Sequence, residues 1–283
     1  MTEGPRRTTD TDLTWAGFRH LADDDAGRSG RTWWNRHATD DLAEHGEFLG
    51  PADFVWCPEG LREEDAGLLG PVTGRRVLEV GCGAGQCTRW LIRNGAHAVG
   101  LDTSAGMLTA GRKLDSRTGV TAPTICADAR TIPLADATVD VAFSAFGAIP
   151  FVPDATRVHA EVARVLRPGG LWVFAVTHPV RWAFPDDPEG LTAVRSYFDR
   201  DPYVETDPDG TIVYAEYHRT FGDHVTDVVA AKLEILGVIE PEWPTGLDRT
   251  WGGWGPVRGA YLPGTMIVRA RRPDPRSPRP PHD

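Results

Sequence analysis

The chain has 283 residues, enough for one large domain or one domain with additions, and its hydrophobic fraction of 41% allows a sizeable core. Thirty Lys and Arg against 40 Asp and Glu leave a net charge of −10, which argues against a nucleic-acid backbone or an anionic membrane surface as partner. No apolar run approaches the ~18 residues of a membrane span.

In chain order, residues 1–12 read as a polar tail without the apolar segment of a secretory signal. Residues 13–70 read as a helical, aromatic-rich lid. Ser29 caps a helix through TWWNRHATDDLAEH, and Pro58 starts a second in PEGLREEDAGLLG, stopped by Gly70 and Pro71. Residues 71–271 form the main domain. RRVLEVG predicts a strand, GQCTRWLIRNG a helix and HAVGLD a strand. SAGMLTAGRKLDS predicts a helix capped by Ser104, with short strands following in APTICAD and VDVAFSAF. DATRVHAEVARVLRPGG is a helix with Val158, Val162, Val165 and Leu166 on one stripe, and LWVFAVT is a fifth strand. Short apolar strands alternating with helices imply a parallel sheet covered on both faces. An insert over about 178–220 interrupts the alternation and contains a strand, TIVYAEYHRT. A helix in DHVTDVVAAKLEILG, a short strand near Gly237–Glu240 and a last one in TMIVRARR complete the sheet. The expected class is therefore α/β, with a Rossmann-like, seven-stranded, mostly parallel sheet. Residues 272–283 hold five prolines and read as a second tail.

The first strand of the sheet ends in Glu79, Gly81, Cys82, Gly83 and Gly85. Glycines there let the backbone turn sharply into a helix N-terminus and approach a ligand closely. The spacing is G-x-G-x-G, not the G-x-G-x-x-G of a dinucleotide fingerprint. Asp102 ends the second strand, 17 residues after Gly85. It can accept hydrogen bonds from both hydroxyls of a ribose, or simply cap the next helix. Asp128, ending the third strand, can accept from an adenine amine or serve as a turn residue. The four cysteines, Cys57, Cys82, Cys87 and Cys126, lack metal-ligand spacing, so no metal is expected. With no signal segment they read as reduced thiols in a cytoplasmic protein.

VLEVGCGAGQCTRWL, GLDTSAGML, ADARTIPLADATVDVAFS and EVARVLRPGG, in that order over residues 75 to about 177, resemble the class I S-adenosylmethionine-dependent methyltransferases of the small-molecule branch. The flanking text, WWNRHATDDLAEHGEFLGPADFVWCPEGLRE and THPVRWAFPDDP, looks like an actinobacterial subgroup of them. The resemblance implies S-adenosyl-L-methionine as cofactor. Gly81, Cys82, Gly83 and Gly85 would meet its methionine part and Glu79 its ammonium end. Asp102 would take the ribose, with Thr103 and Met107 beside the nucleoside, and Asp128 and Ala129 the adenine. Ser144 and Phe146 would line the donor methyl. The text after the fourth strand, SAFGAIPFVPD, has no histidine, which puts a base there in doubt.

Ligands of open α/β sheets bind outside the carboxyl ends of the strands. That rule points to His178, Arg181 and Trp182 after the fifth strand, with His178 and Tyr217 as candidate catalytic groups. His178 also reads as a loop histidine bonded to backbone. Residues 75–177 hold 6 of the 25 aromatics, and the rest of the chain holds 8 of the 10 tryptophans. Trp33, Trp34 and Trp56 in the lid, and Trp182, Tyr203, Tyr217, Trp243, Trp251 and Trp254 later, would wall a pocket for a neutral or cationic aromatic small molecule, for instance an indole. The same aromatics also serve as small cores for the lid and insert. A nicotinamide-dependent oxidoreductase and a non-catalytic cofactor-binding protein are the alternatives. The partner is expected to be a small molecule, with neither nucleic acid nor membrane, and the protein a monomer or homodimer.

Overall fold

The computed structural model describes residues 15–21, 31, 33–38 and 44–276. In chain order its principal elements are β1 (Trp15–Phe18), β2 (Arg76–Val80), α1 (Gln86–Arg93), β3 (His97–Asp102), α2 (Ala105–Thr118), β4 (Thr124–Cys126) and β5 (Val139–Ala145). They continue with α3 (Ala155–Val165), β6 (Leu166–Thr177), β7 (Tyr203–Thr206), β8 (Ile212–Glu216), α4 (Phe221–Ala230), β9 (Glu234–Ile239) and β10 (Thr265–Arg271). Residues 33–38 and 44–49 are helical. No helix among the described residues is long and apolar enough to cross a membrane.

The main sheet runs β4-β3-β2-β5-β6-β10-β9. Its members from β4 to β6 pair in parallel, and β10 is antiparallel to both neighbours. This is the expected seven-stranded, mostly parallel Rossmann-like sheet. Side chains of a strand alternate between faces, so each strand feeds two cores. Leu78, Val80, Trp172, Phe174 and Val268 pack with Val158 and Val162 of α3 and Val228 of α4. Val77, Phe143, Val173 and Ile267 pack on the other face with Leu91 of α1 and with Phe54, Trp56 and Leu68. Caps set where helices begin. Ser104 Oγ accepts from the amide of Met107 at 3.1 Å, and Thr220 and Asp223 form a reciprocal capping box at α4.

Several expectations change. The N-terminal region is not all helical, because Trp15–Phe18 pairs antiparallel with β7, which in turn pairs with β8, in a separate three-stranded sheet. This partner, far away in sequence, overrides the local pattern. Arg195 covers the Phe18 ring at 3.5 Å. Pro58 starts no long helix, since Val55 and Arg62 bridge instead and leave one helical turn at Glu63–Ala66. The insert strand ends at Glu216, because the amide of Tyr217 turns away to the carbonyl of Pro150 at 2.8 Å. Helix α4 stops at Ala230, and β9 begins at Glu234, earlier than Gly237. Ser29 and most of both tails lie outside the described residues.

Candidate active site

A cavity of about 240 Å³ opens at the carboxyl ends of β2, β3, β4 and β5. Glycine makes this possible at the end of β2. A Cβ on Gly81 (φ +75°) would lie 2.4 Å from the amide nitrogen of Ala148 and 2.7 Å from Cα of Gly147. A Cβ on Gly147 would lie 2.6 Å from the carbonyls of Val80 and Gly81. The loops after β2 and β5 therefore touch backbone to backbone. Gly83 (φ +52°) has only the Met107 methyl nearby, at 3.2 Å. Gly85 caps α1 in the left-handed conformation and turns the chain without lining the cavity.

Two carboxylates stand behind these loops. Glu79 is buried and accepts from the amide of Thr88 at 2.9 Å and from its hydroxyl at 2.5 Å. Burial pushes its pKa up to about 8. Asp102 accepts from the amides of Gly83 and Ser104, each at 2.8 Å, and burial raises its pKa too. It thus acts as the strand-end cap while lining the cavity. Two bonds leave about half of a carboxylate's four lone-pair sites for a ligand. Asp128 lines the cavity at the end of β4, with Ala129, Thr103 and Met107. Burial works against its charge, but Arg130, bonded at 2.6 Å, holds the carboxyl below its usual range. Cys82 also lines the cavity, its Sγ filling the space where a Cβ on Gly100 would sit 2.6 Å away. Burial holds the Cys82 thiol well above its ordinary pKa, so it is an inert wall.

The same cavity is also lined by the apolar side chains Trp34, Leu49, Val55, Trp56, Phe151 and Trp251, of which Trp34 packs on the cluster that holds Ala84 and Met107. Trp34 meets Phe151 edge to face at 5.4 Å. The helical segment 33–38 is held on the mouth of the fold through Asn35, whose Oδ1 accepts from Ser104 Oγ at 3.0 Å and from the amide of Gly106 at 2.8 Å. Phe146, at φ +55°, holds an uncommon backbone conformation in the cavity wall, a feature that clusters at ligand sites. Arg219 fastens the loop carrying Phe151, donating to the carbonyls of Val152 at 2.7 Å and Pro153 at 2.9 Å. Arg219 also pairs with Asp227 at 3.7 Å. Neither Arg219 nor Leu49 was a sequence candidate, because the carbonyls that Arg219 fastens lie 67 and 66 residues away and carry no side-chain signature.

Other candidates fall elsewhere. Ser144 is buried beneath Gly147, with its Oγ 2.8 Å from where that glycine's Cβ would be, and does not line the cavity. His178 binds Glu240 at 2.7 Å and caps its own turn through the amide of Val180 at 3.1 Å. It is away from the cavity, and burial lowers its pKa. Tyr217 and Trp182 border a separate small void with Glu216 and His224, because the strand end turns them under the insert. Arg181 pairs with Asp186 at 2.6 Å. Trp33 stacks on His37 at 3.7 Å and meets Tyr214 edge to face, so it packs against the small sheet. Trp56 is fully buried, donates to Glu63 at 2.9 Å and serves the core as much as the cavity. Of the late aromatics, only Trp251 lines the large cavity, because Trp182, Tyr203, Trp243 and Trp254 pack within the insert and the C-terminal loop. No group of three His, Cys, Asp or Glu with metal-binding geometry occurs among the described residues.

Residues 78–174 match the family model described as a methyltransferase domain. A demethylmenaquinone methyltransferase from Corynebacterium kroppenstedtii is 32% identical over 200 residues, covering 69% of this chain and 79% of that protein. An S-adenosylmethionine-dependent methyltransferase from Mesorhizobium loti superposes with a TM-score of 0.59 at 27% identity, over 74% of this chain and 97% of the other. The 1,6-didemethyltoxoflavin-N1-methyltransferase of Burkholderia thailandensis, solved with S-adenosylhomocysteine, shares the fold at 15% identity. Its TM-score is 0.58, over 96% of this chain and 100% of that one.

Proposed function

The chain belongs to the class I S-adenosylmethionine-dependent methyltransferases, and from that premise we propose that it methylates a neutral, flat, apolar small molecule of quinol or indole type. One observation carries the reading: the cavity lined by Glu79, Asp102 and Asp128 is lined as well by Leu49, Val55, Phe151 and Trp251. The residues suit the cofactor at the strand ends, where the loops pack backbone on backbone and Glu79 and Asp102 line the cavity for an ammonium and a diol. When bound, S-adenosylmethionine supplies a methyl activated by cationic sulfur, so the leaving group is neutral.

Glu79 holds the amino-acid end, through charge and through the Thr88 turn. Asp102 accepts from the ribose hydroxyls and stiffens the glycine loop through the amide of Gly83. Asp128 and Ala129 take the adenine edge, with Arg130 keeping Asp128 ionised. The aromatic wall aligns the acceptor and excludes water, and positioning carries most of the acceleration. No histidine lines the cavity among the described residues, which suits a ring carbon or nitrogen that loses its proton late. The relatives named for demethylmenaquinone support a ring acceptor of quinone type.

The test offers the full chain S-adenosylmethionine with a neutral naphthoquinol, an indole, an aliphatic acid and a sugar. Release of S-adenosylhomocysteine and the mass of the product are read together. Methylation of the flat rings is expected, and turnover confined to the acid or the sugar would overturn the acceptor class.

A further inference from the structure

The cavity wall includes Trp251, carried by a turn that a buried cation contacts. Trp251 sits in a tight turn closed by backbone bonds to and from Trp254, at 2.8 and 3.0 Å. Its indole stacks on the His45 imidazole at 3.9 Å, with the planes 15° apart, and meets Phe48 at 5.8 Å. Arg249 lies over the Phe48 ring at 4.1 Å. The turn and the helical residues 44–49 thus form one continuous roof, and Trp251 and Leu49 reach from it into the cavity.

Behind the turn, Arg258 has no solvent exposure. Its guanidinium donates to the carbonyls of Gly253 at 2.6 Å, Pro185 at 2.9 Å, Gly190 at 2.8 and 3.0 Å, and Asp187. Every hydrogen bond it makes among the described residues goes to a backbone carbonyl. A buried cation is costly unless its donors are satisfied, and only the forked donor set of arginine reaches all four carbonyls together. Gly253, two residues from Trp251, is packed so closely that a Cβ there would sit 2.9 Å from Asp186 and 3.1 Å from the guanidinium. Arg258 therefore joins the 185–190 segment to the turn that carries Trp251.

We propose that Trp251 is a specificity-determining wall of the acceptor site and that Arg258 is the positioning residue that holds it there. This rests on the reading of that part of the cavity wall as the acceptor site. Lysine cannot replace Arg258, whereas loss of either Trp251 or Arg258 leaves the glycine loop and its carboxylates intact.

The experiment compares Trp251→Ala, Arg258→Met, Arg258→Lys and the Trp251→Ala/Arg258→Met double variant. It measures KM for whichever acceptor of the panel turns over, kcat, and the S-adenosylhomocysteine Kd. Trp251→Ala is expected to raise the acceptor KM about tenfold and to leave the cofactor Kd within twofold. Arg258→Met should do the same, Arg258→Lys should not rescue it, and the double variant should be no worse than the poorer single. An unchanged acceptor KM in Trp251→Ala, or effects that multiply in the double variant, would overturn the proposal. Hydrogen exchange of the cofactor-bound protein supplies an arm that needs no acceptor. Arg258→Met should speed exchange over 249–255 and leave 78–102 unchanged, and slow, wild-type exchange over 249–255 would overturn the positioning role. If the acceptor proves aliphatic, the proposed acceptor class fails, while the KM of that acceptor in Trp251→Ala still decides this assignment.

Discussion

At the strand ends, Gly81, Gly83, Glu79 and Asp102 shape the cavity from one continuous stretch of backbone and two carboxylates. Elsewhere in its wall, Trp34, Leu49, Phe151 and Trp251 shape it from side chains delivered by four separate segments. The first half is rigid because its loops pack backbone on backbone, as Gly81 does on Gly147. The second depends on distant fastenings, with Asn35 on Ser104, Arg219 on the carbonyls after β5, and Arg258 on the Trp251 turn. A backbone-built half tolerates little change and suits a constant ligand. A half built from tethered side chains can change acceptor without disturbing the other.

Gly81→Val tests the rigid half most severely. The added Cβ meets backbone at 2.4 Å and the residue must hold φ +75°, so neither loop can yield cheaply. A folded variant should show more than ~100-fold weaker S-adenosylhomocysteine binding by titration, with little local relief. Near-normal binding would show that the two loops are not so tightly joined. Gly83→Val must also hold a positive φ (+52°) but meets a flexible methionine methyl in place of backbone, and should be milder.

Trp182→Ala belongs to neither half. The indole is 4% exposed and packs against Phe18 at 6.0 Å and His218 at 5.7 Å, so its loss leaves a cavity under the small sheet. Urea unfolding should show a loss of about 3–5 kcal/mol, with the cofactor Kd unchanged. A variant of wild-type stability that no longer turns over would return Trp182 to the acceptor site.

Glu79 makes the rigid half sensitive to pH. Its folded pKa, up to about 8, lies above the ordinary value of 4.5, so the folded state prefers the neutral acid. That contribution to stability is complete below about pH 4.5 and is lost as pH rises through 8. The melting temperature of the ligand-free protein should therefore carry a component that falls over this window and is absent in Glu79→Gln. Cofactor binding should tighten by up to ~50-fold from pH 6 to 8, because about 1% of Glu79 is ionised at pH 6 and half at pH 8, and the ammonium needs the carboxylate. A flat binding profile would remove Glu79 from that contact.

His178→Ala should have the smallest effect. It removes one cap and one bond to Glu240, costing about 0.5–2 kcal/mol by thermal or urea unfolding. Turnover should be unchanged, and a loss of kcat with cofactor binding intact would restore the histidine as a catalytic group.

The rigid half was the legible one. Its determinants lie close together in sequence, and each has a chemical reason for its residue type, from the glycines of the β2 loop to the acids ending β2, β3 and β4. The sheet was legible too, because buried parallel strands read as apolar runs between capped helices. The tethered half was not. Strand β1 forms only because β7 lies beside it, nearly 190 residues away in sequence. His178, Tyr217 and Trp182 follow the strand that should border the cleft, yet local bonds to Val180, Pro150 and the insert turn them aside. Arg258 bonds carbonyls, which every residue possesses, so no pairing pattern announces it, and the carbonyls that Arg219 fastens beside its Asp227 partner are equally silent in sequence.

The assignment of the cavity wall is tested most directly by titrating S-adenosylhomocysteine into the full chain, Asp102→Ala and Trp251→Ala side by side. Asp102→Ala removes hydrogen bonds to a charged group, about 1.5–3 kcal/mol, so its Kd should rise roughly 10- to 150-fold. Trp251→Ala should stay within twofold of wild type. Equal losses in both variants, or an unchanged Kd in Asp102→Ala, would contradict the account.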